Sequence, residues 1–323
     1  MKKWLPAVLL VGAFVGALYL GATQIDNFWS ALFNPGSNEI LWQIRFPRVT
    51  AAVIVGAALA VAGLLAQGAC NNAVAEPAIL GTAAGASFGA VLAISAGLVQ
   101  VGTIGAIVCG TIGALLTTSL TFKLAAIRGA LSSFNLIIVG IAVSAIFTAL
   151  VGIASAMVSR ADARSISFWS FGSLALVTAN NLIGVAITTA IGIAIAWKIA
   201  PALDRLSLGD ATAFHLGVNV ARIRLIALVA LSILAGGAVS TVGSIAFIGL
   251  AAPHIARFIY GPIHRNLVAH SAVIGALIVV VADTVSRTIA QPNELPIGLA
   301  TALLGAPVLI ALVTFKNNVW RTQ

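Results

Sequence analysis

Few side chains in this sequence can do chemistry, and their positions limit which kind. The chain of 323 residues contains eight carboxylates, four histidines and two cysteines. No carboxylate lies near the middle of a long apolar segment, where proton- or ion-coupled carriers usually keep an ionisable group. The eight acids are Asp26, Glu39, Glu76, Asp162, Asp204, Asp210, Asp283 and Glu294.

The acid closest to such a position is Asp283, one turn before Arg287. An acid–base pair four residues apart near a helix end is typical of a structural salt bridge, and a proton relay is the alternative. Cys70 and Cys109 are typical of small buried thiols. Neither they nor the histidines have metal-ligand spacing. The sequence therefore predicts no catalytic residue and no metal site.

A nucleotide-binding P-loop is also missing from the sequence. That pattern needs a lysine directly after a glycine, and none of the five lysines follows one. If ATP drives this protein, a separate subunit hydrolyses it. We expect no cofactor in this chain, and we expect ATP and Mg²⁺ to be used by the partner.

The composition decides which elements must position these few groups. Hydrophobic residues make up 60% of the chain, charged residues 8%, and the mean hydropathy is +1.11. A soluble domain has about 25% charged residues. The chain is thus predicted to be an all-α integral membrane protein, one polytopic domain over residues 1–323 without a soluble appendage.

About twenty apolar residues are needed to cross a bilayer. Ten segments meet or approach this length, and the eighth is short. If the ten divide into two related halves, five spans per half require inverted topology, which is common in transporters. The segments are 5–23, 49–68, 78–96, 102–122, 135–158, 182–200, 223–242, 245–260, 268–289 and 296–315.

The basic residues predict the orientation. With a cytoplasmic N-terminus, twelve of the seventeen lysines and arginines lie inside, which satisfies the positive-inside rule. Those twelve are Lys2, Lys3, Lys123, Arg128, Lys198, Arg205, Arg222, Arg224, Arg257, Arg265, Lys316 and Arg321. The five outside, all arginines, are Arg45, Arg48, Arg160, Arg164 and Arg287.

The most polar inside loop spans residues 201–222. Its residues from Asp210 to Leu216 can form about two helical turns, and Gly217 can end them with a positive φ. Leu208, Phe214 and Leu216 would be apolar side chains directed away from the spans. This pattern indicates either a short helix on the lipid interface or a helix that inserts into a cytoplasmic partner.

Several blocks of the sequence, taken in order, resemble the FecCD-type permeases. They are "RFPR", "GAALAVAGLLAQ", "AEPAILG", "FWSFGSL", "GDATAFHLGVNVARIR", "GSIAFIGLAAPHIARF", "ADTVSR" and "NELPIGLATALLGAP", and together they cover roughly residues 45–310. The chain departs from the usual family pattern at Asn71 and Ala73, where arginine and proline are usual, and at Leu309, where phenylalanine is usual.

This resemblance implies a function and partners. Such proteins are the membrane subunits of ABC importers for ferric siderophores, haem or vitamin B12, with the type II fold of two inverted five-helix halves. We then expect a second permease subunit, two cytoplasmic ATPase subunits and an extracytoplasmic binding protein in a bacterial inner membrane, with both termini cytoplasmic. The family's coupling region corresponds to Leu208, Gly209, Asp210, Ala213, Phe214, Leu216, Gly217 and Arg222.

Small and weakly polar residues form stripes on two predicted spans. At about 100° per residue, those on the fifth span fall within roughly 120° of arc. They could pack against other helices or, as the resemblance implies for both spans, line the translocation pathway. The stripes consist of Gly140, Ser144, Thr148, Gly152, Ser155 and Ser159 on the fifth span and of Gly298, Thr301 and Gly305 on the tenth.

The outer arginines oppose the overall charge bias. Arg45, Arg48 and Arg287 could extend to the interface or form local salt bridges, with Asp283 as the obvious partner of Arg287. Arginine also suits bidentate pairing with carboxylates. The resemblance implies acidic residues on the binding protein as partners, so a docking surface is the hypothesis we favour.

Two other functions would require ionisable or catalytic groups that the sequence lacks. An ion-coupled secondary carrier of a small hydrophobic solute would need a mid-membrane ionisable group, and the sequence shows none. An intramembrane enzyme could use His254 and Arg257 of "PHIAR", but the carboxylate or cysteine that such chemistry requires is missing nearby.

Overall fold

The computed structural model describes residues 4–21, 23–100, 102–127, 132–289, 294–303 and 305–307. Over these residues the protein is helical, with connecting segments and no strand, as the composition predicted. Several residues that carried sequence-based interpretations lie outside the described ranges: Lys2, Lys3, Arg128, Leu309, Lys316 and Arg321.

Each of the ten predicted spans overlaps a helix in the part of the chain that the structure describes. Six helical segments of the described chain are long and apolar enough to cross a membrane: Ile40–Cys70, Ile104–Ala126, Ser133–Ala156, Ala179–Leu206, Val220–Val242 and His264–Ile289. The other four helices are shorter, including the eighth span, which the sequence predicted to be short. The ten are α1 (Leu5–Tyr19), α3 (Phe46–Cys70), α4 (Thr82–Ser95), α5 (Ile104–Ala126), α6 (Ser133–Ala156), α8 (Ala179–Leu206), α10 (Val220–Val242), α11 (Ile248–Tyr260), α12 (His264–Ile289) and α13 (Ile297–Pro307).

Three short helices and one π-helical turn supplement the ten. The helix predicted in the inside loop is present as α9 (Asp210–His215), whereas the sequence did not predict α2 (Phe28–Phe33) or α7 (Arg160–Ser170). Residues Ile40–Arg45 form a π-helical turn that leads directly into α3. Polar caps begin three of the long helices, because the side chains of Thr103, Ser132 and Asn219 accept backbone N–H bonds at the starts of α5, α6 and α10.

Helices α3 and α10 form the centre of the bundle. Both are buried over most of their length, and α3 packs against α8, α10, α11 and α12. Small residues permit this proximity, since a Cβ on Gly56 would overlap the carbonyl oxygen of Gly275 on α12. By contrast α6, which bears the predicted pathway stripe, has few buried residues in the isolated chain.

The two short helices α4 and α11 begin in a similar way. Each follows a long central helix and a non-helical segment, residues 71–81 before α4 and residues 243–247 before α11. Each starts after a residue in the left-handed region, Gly81 with φ +88° and Phe247 with φ +67°. Phe247 is the more unusual, since left-handed backbone disfavours a residue with a bulky side chain.

Candidate functional site

The short helix α9 presents apolar side chains away from the bundle. It lies between Gly209, with φ +98°, and Gly217, with φ +78°, so both of its ends use backbone that favours glycine. Phe214 is 70% exposed and Leu208 is 61% exposed, whereas Ala213 is buried against the bundle. Leu216 is also exposed, which leaves a small apolar surface at this end of the molecule.

An internal ion pair fixes the start of α9. Asp210 lies 3.0 Å from a guanidinium nitrogen of Arg224 on α10, and the Arg224 side chain is almost fully buried. The backbone N–H of Arg222, two residues before Arg224, donates to Oδ1 of the cap residue Asn219 at 3.0 Å. The side chain of Arg222 is exposed. The sequence predicted a role for Asp210 and Arg222 but did not single out Arg224.

The arginines predicted to form an outer docking surface are buried. We call Arg45, Arg48, Asp283, Arg287 and Glu294 the arginine cluster. Arg45 is 4% exposed and donates to the carbonyl oxygens of three residues near the end of α1, Leu18, Tyr19 and Thr23.

Ion pairs hold the rest of the arginine cluster together. Arg48 donates to Asp283 at 2.9 Å and to Glu294 at 2.8 Å. Arg287 lies 3.5 Å from Asp283, which is the salt bridge expected from their spacing, and it donates to the carbonyl of Ala17. This geometry favours the local salt-bridge alternative, because these side chains reach a partner only after breaking internal bonds. Docking through them stays a prediction.

The stripe on α6 is partly open. Gly140 packs against the backbone of Ile79 and Leu80, and Ser144 donates to the carbonyl of Ala78 at 2.7 Å. Ser155 bonds back to Val151 in its own helix. Thr148 and Gly152 are exposed on α6, whereas Ser159, which is also exposed, lies past the end of α6 and directly before α7. One edge of the stripe therefore contacts the segment before α4, and the remainder faces out of the chain.

The stripe on α13 is buried instead. Gly298 packs against Phe171 and Ser244, Gly305 packs against Phe247, and Thr301 is 2% exposed. These contacts favour the helix-packing alternative for all three residues. Their role in lining the pathway stays a prediction.

One carboxylate in the interior was not recognised as structurally important from the sequence. Glu76, in the segment before α4, accepts a hydrogen bond from the backbone N–H of Phe247 at 3.2 Å. Burial raises the pKa of the Glu76 carboxyl group, and this hydrogen bond partly offsets the rise. The hydrogen bond between Glu76 and Phe247 thus links the two segments that lead into α4 and α11. The sequence did mark Glu76 as unusual, since no other acid occurs between Glu39 and Asp162.

Further polar contacts connect the end of α3 to its neighbours. Gln67 accepts from Arg257 on α11 at 3.0 Å, and its amide donates to the carbonyl of Gly249. Arg257 and Gln67 thus form a structural contact between α11 and α3. A separate contact joins α12 to α8, where the ring of His264 bonds Asp204 at 2.8 Å. Within the described residues no group of three or more His, Cys, Asp or Glu side chains could hold a metal ion.

Comparison with known proteins agrees with this architecture. A model of the FecCD transport family matches residues 6–315. The iron(3+)-hydroxamate import system permease protein FhuB of Bacillus subtilis is 37% identical, over 94% of this chain and 80% of that protein. The hemin transport system permease protein HmuU of Yersinia pestis is 36% identical, over 95% of this chain and 93% of that protein.

A third relative and a solved structure extend the likeness. The vitamin B12 import system permease protein BtuC of Vibrio cholerae is 33% identical, over 96% of this chain and 94% of that protein. A metal-chelate type ABC transporter solved in an inward-facing conformation superposes with a TM-score of 0.83 at 29% identity, covering 96% of this chain and 97% of that one. The chain therefore belongs to the FecCD transport family and is a membrane-spanning permease subunit of the ABC importer type.

Proposed function

We propose that this chain forms the membrane pathway of an importer that takes up a metal chelate, and that ATP is hydrolysed with Mg²⁺ by separate cytoplasmic subunits. The observation that carries the proposal is α9, which lies between two glycines and exposes Phe214, with the exposed Leu208 directly before the first glycine. A short apolar projection of this kind fits a groove in another protein.

The proposed complex contains two permease subunits, two ATPase subunits and an extracytoplasmic binding protein in a bacterial inner membrane. One chain provides one α9, whereas an ABC motor with two ATP sites requires two such contacts. A homodimer supplies them directly. The excess of basic residues on one side supports cytoplasmic termini.

Relatives of this chain import a ferric hydroxamate, hemin and vitamin B12, all of which are metal chelates. The open part of the α6 stripe offers hydroxyls and glycine but no charged ligand. A weakly polar surface suits passage of a large chelate without tight binding. We therefore propose a metal chelate as substrate, with selection made by the binding protein.

The direct test is purification followed by uptake. We expect the chain to copurify with an ATPase subunit encoded in the same genome and to transport one of three labelled probes: ferrichrome, haemin or cyanocobalamin. Transport without any ATPase subunit, driven by an ion gradient, would instead support a secondary carrier.

The proposed pathway has its own test at Gly152. A Cβ there meets no atom within 4 Å, so the chain can fold with tryptophan at this position. We expect Gly152→Trp to abolish uptake while ATP hydrolysis continues. Gly16→Trp on α1 is the matched control, because a Cβ at Gly16 also meets nothing within 4 Å. Normal uptake by Gly152→Trp would place this face of α6 outside the pathway.

A further inference from the structure

We infer that Arg224 is a positioning residue that joins α9 mechanically to the ends of α3 and α6. The inference rests on the proposed coupling function of α9. It assigns to one buried side chain the transfer of motion from the ATPase contact to the helices that border the pathway.

The guanidinium group of Arg224 bonds three separate elements. Its Nη2 lies 3.0 Å from the carboxylate of Asp210 on α9 and donates to the hydroxyl of Ser133 on α6 at 3.2 Å. Its Nε donates to the carbonyl of Ala69 on α3 at 2.9 Å. The residue is 2% exposed, so the guanidinium group itself lies inside the protein.

The choice of arginine fits this role. A planar guanidinium has five N–H donors in a fixed arrangement, whereas a lysine ammonium is a single point of charge. Asp210 is half exposed, with 49% of its side chain accessible. Loss of the pair would therefore leave that carboxylate hydrated rather than buried and unpaired, which makes the link testable without unfolding the protein.

Two of the residues that Arg224 contacts lie where a helix ends or begins. Ala69 is in the last turn of α3, directly before the segment 71–81 that carries Ala78 and Glu76. Ser133 is the first residue of α6, and that helix bears the open stripe. A displacement of α9 is thus passed by the Arg224 side chain both to the segment 71–81 and to the start of α6.

The structure also explains why α9 needs such a link. It has only six residues, and glycines with positive φ precede and follow it. A helix this short has little stability of its own. Besides the buried Ala213, the Asp210–Arg224 pair connects it to the interior.

The first experiment measures coordinated movement. Spin labels are placed at Thr212 on α9 and at Phe134 on α6, both exposed, after Cys70 and Cys109 are replaced by alanine. In the assembled complex, with the labelled chain diluted into unlabelled chain so that each complex carries one labelled copy, we expect one narrow distance distribution that stays unchanged when ATP is added. With Arg224→Gln we expect a broader distribution that shifts on ATP addition, because α9 then moves without α6.

The second experiment measures transport per ATP hydrolysed. The probe is whichever of labelled ferrichrome, haemin or cyanocobalamin the unmodified protein transports. We expect the ratio of uptake to hydrolysis to fall about tenfold or more in Arg224→Gln, the range expected for losing hydrogen bonds to a charged group. Arg224→Lys should keep a ratio between those of the unmodified protein and Arg224→Gln. Arg265→Gln is the control, because it removes an exposed arginine from the same end of the molecule.

A double variant separates transmission from general weakening. Asp210→Ala removes the acceptor on α9 alone, and Ser133→Ala removes the acceptor on α6 alone. If Arg224 acts through these bonds, Asp210→Ala added to Arg224→Gln causes no further loss, because the link is already broken. Additive losses that follow the thermal stability of each variant would overturn the inference.

The results also distinguish this inference from the proposed function. If no ATPase subunit binds the unmodified chain, the proposed function fails. If the subunit binds and Phe214→Asp releases it, while Arg224→Gln leaves the label distances and the uptake ratio unchanged, only the role of Arg224 fails.

Discussion

The two ends of this molecule use charge and apolar surface in opposite ways. At one end, Phe214 of α9 and Leu208, two residues before that helix, are exposed. At the other, the arginine cluster buries Arg45, Arg48 and Arg287 against carbonyls and carboxylates. The sequence indicated a protein contact at both ends, yet only α9 presents its side chains for one in the isolated chain.

The difference shows what charge placement can and cannot indicate. Counting basic residues predicts the side of the membrane on which a segment lies, because translocating positive charge is unfavourable. It does not predict whether a side chain faces solvent. Arg48 finds Asp283 and Glu294, which are more than two hundred positions away in sequence, and that pairing is decided by the packing of α12 on α3.

The largest expected effect breaks the buried side of this comparison. Arg48→Met removes the main partner of Asp283, and removing one partner of a buried pair typically costs about 3–5 kcal/mol. We expect a clear fall in the thermal unfolding midpoint in detergent. Adding Asp283→Asn should not restore it, because the buried Arg287 then loses its own carboxylate partner.

Arg205→Met is the matched control for Arg48→Met, because Arg205 is exposed. It should unfold near the midpoint of the unmodified protein. Equal midpoints for the Arg48 and Arg205 variants would mean that the ion pair adds little to stability.

A smaller effect is expected at the exposed apolar end. Phe214→Asp should weaken binding of the ATPase subunit by about 2 kcal/mol or more, as for loss of an aromatic anchor at an interface. Folding should be unaffected, because the side chain is exposed. The measurement is ATPase retained during affinity purification, with Phe33→Asp, 77% exposed on α2, as the control. Full retention by Phe214→Asp would exclude α9 as the contact.

The smallest effect concerns Glu294, the partly exposed member of the arginine cluster. Glu294→Ala should change stability by only about 0–1 kcal/mol, as for exposed ion pairs. It also removes the acceptor that one nitrogen of Arg48 bonds. If Arg48 docks a binding protein, affinity for that protein should rise at low salt, measured by surface plasmon resonance. Unchanged affinity would leave Arg48 with a structural role.

The departures from the family pattern receive partial explanation. Asn71 ends α3 with φ +43°, in the left-handed region that asparagine tolerates better than most residues. The backbone N–H of Asn72 bonds the carbonyl of Gln67 and helps to close the helix. Asparagine is therefore a suitable residue at this turn. Nothing in the structure explains why alanine stands at position 73.

The sequence by itself determined the helical class, the ten segments and the short helix in the inside loop. These properties depend on local composition: apolar runs of sufficient length, and glycines such as Gly217 at positions needing positive φ. The same local rules could not separate lining from packing on α6 and α13. Both uses favour the same small residues.

Only the tertiary structure decided which polar groups meet. Arg224 bonds Ala69, Ser133 and Asp210 because α10 passes the ends of α3, α6 and α9. Glu76 reaches Phe247 because the segments before α4 and α11 come together. No periodicity or motif records such contacts, since they depend on how helices distant in sequence pack, and burial then forces each polar group to find a partner.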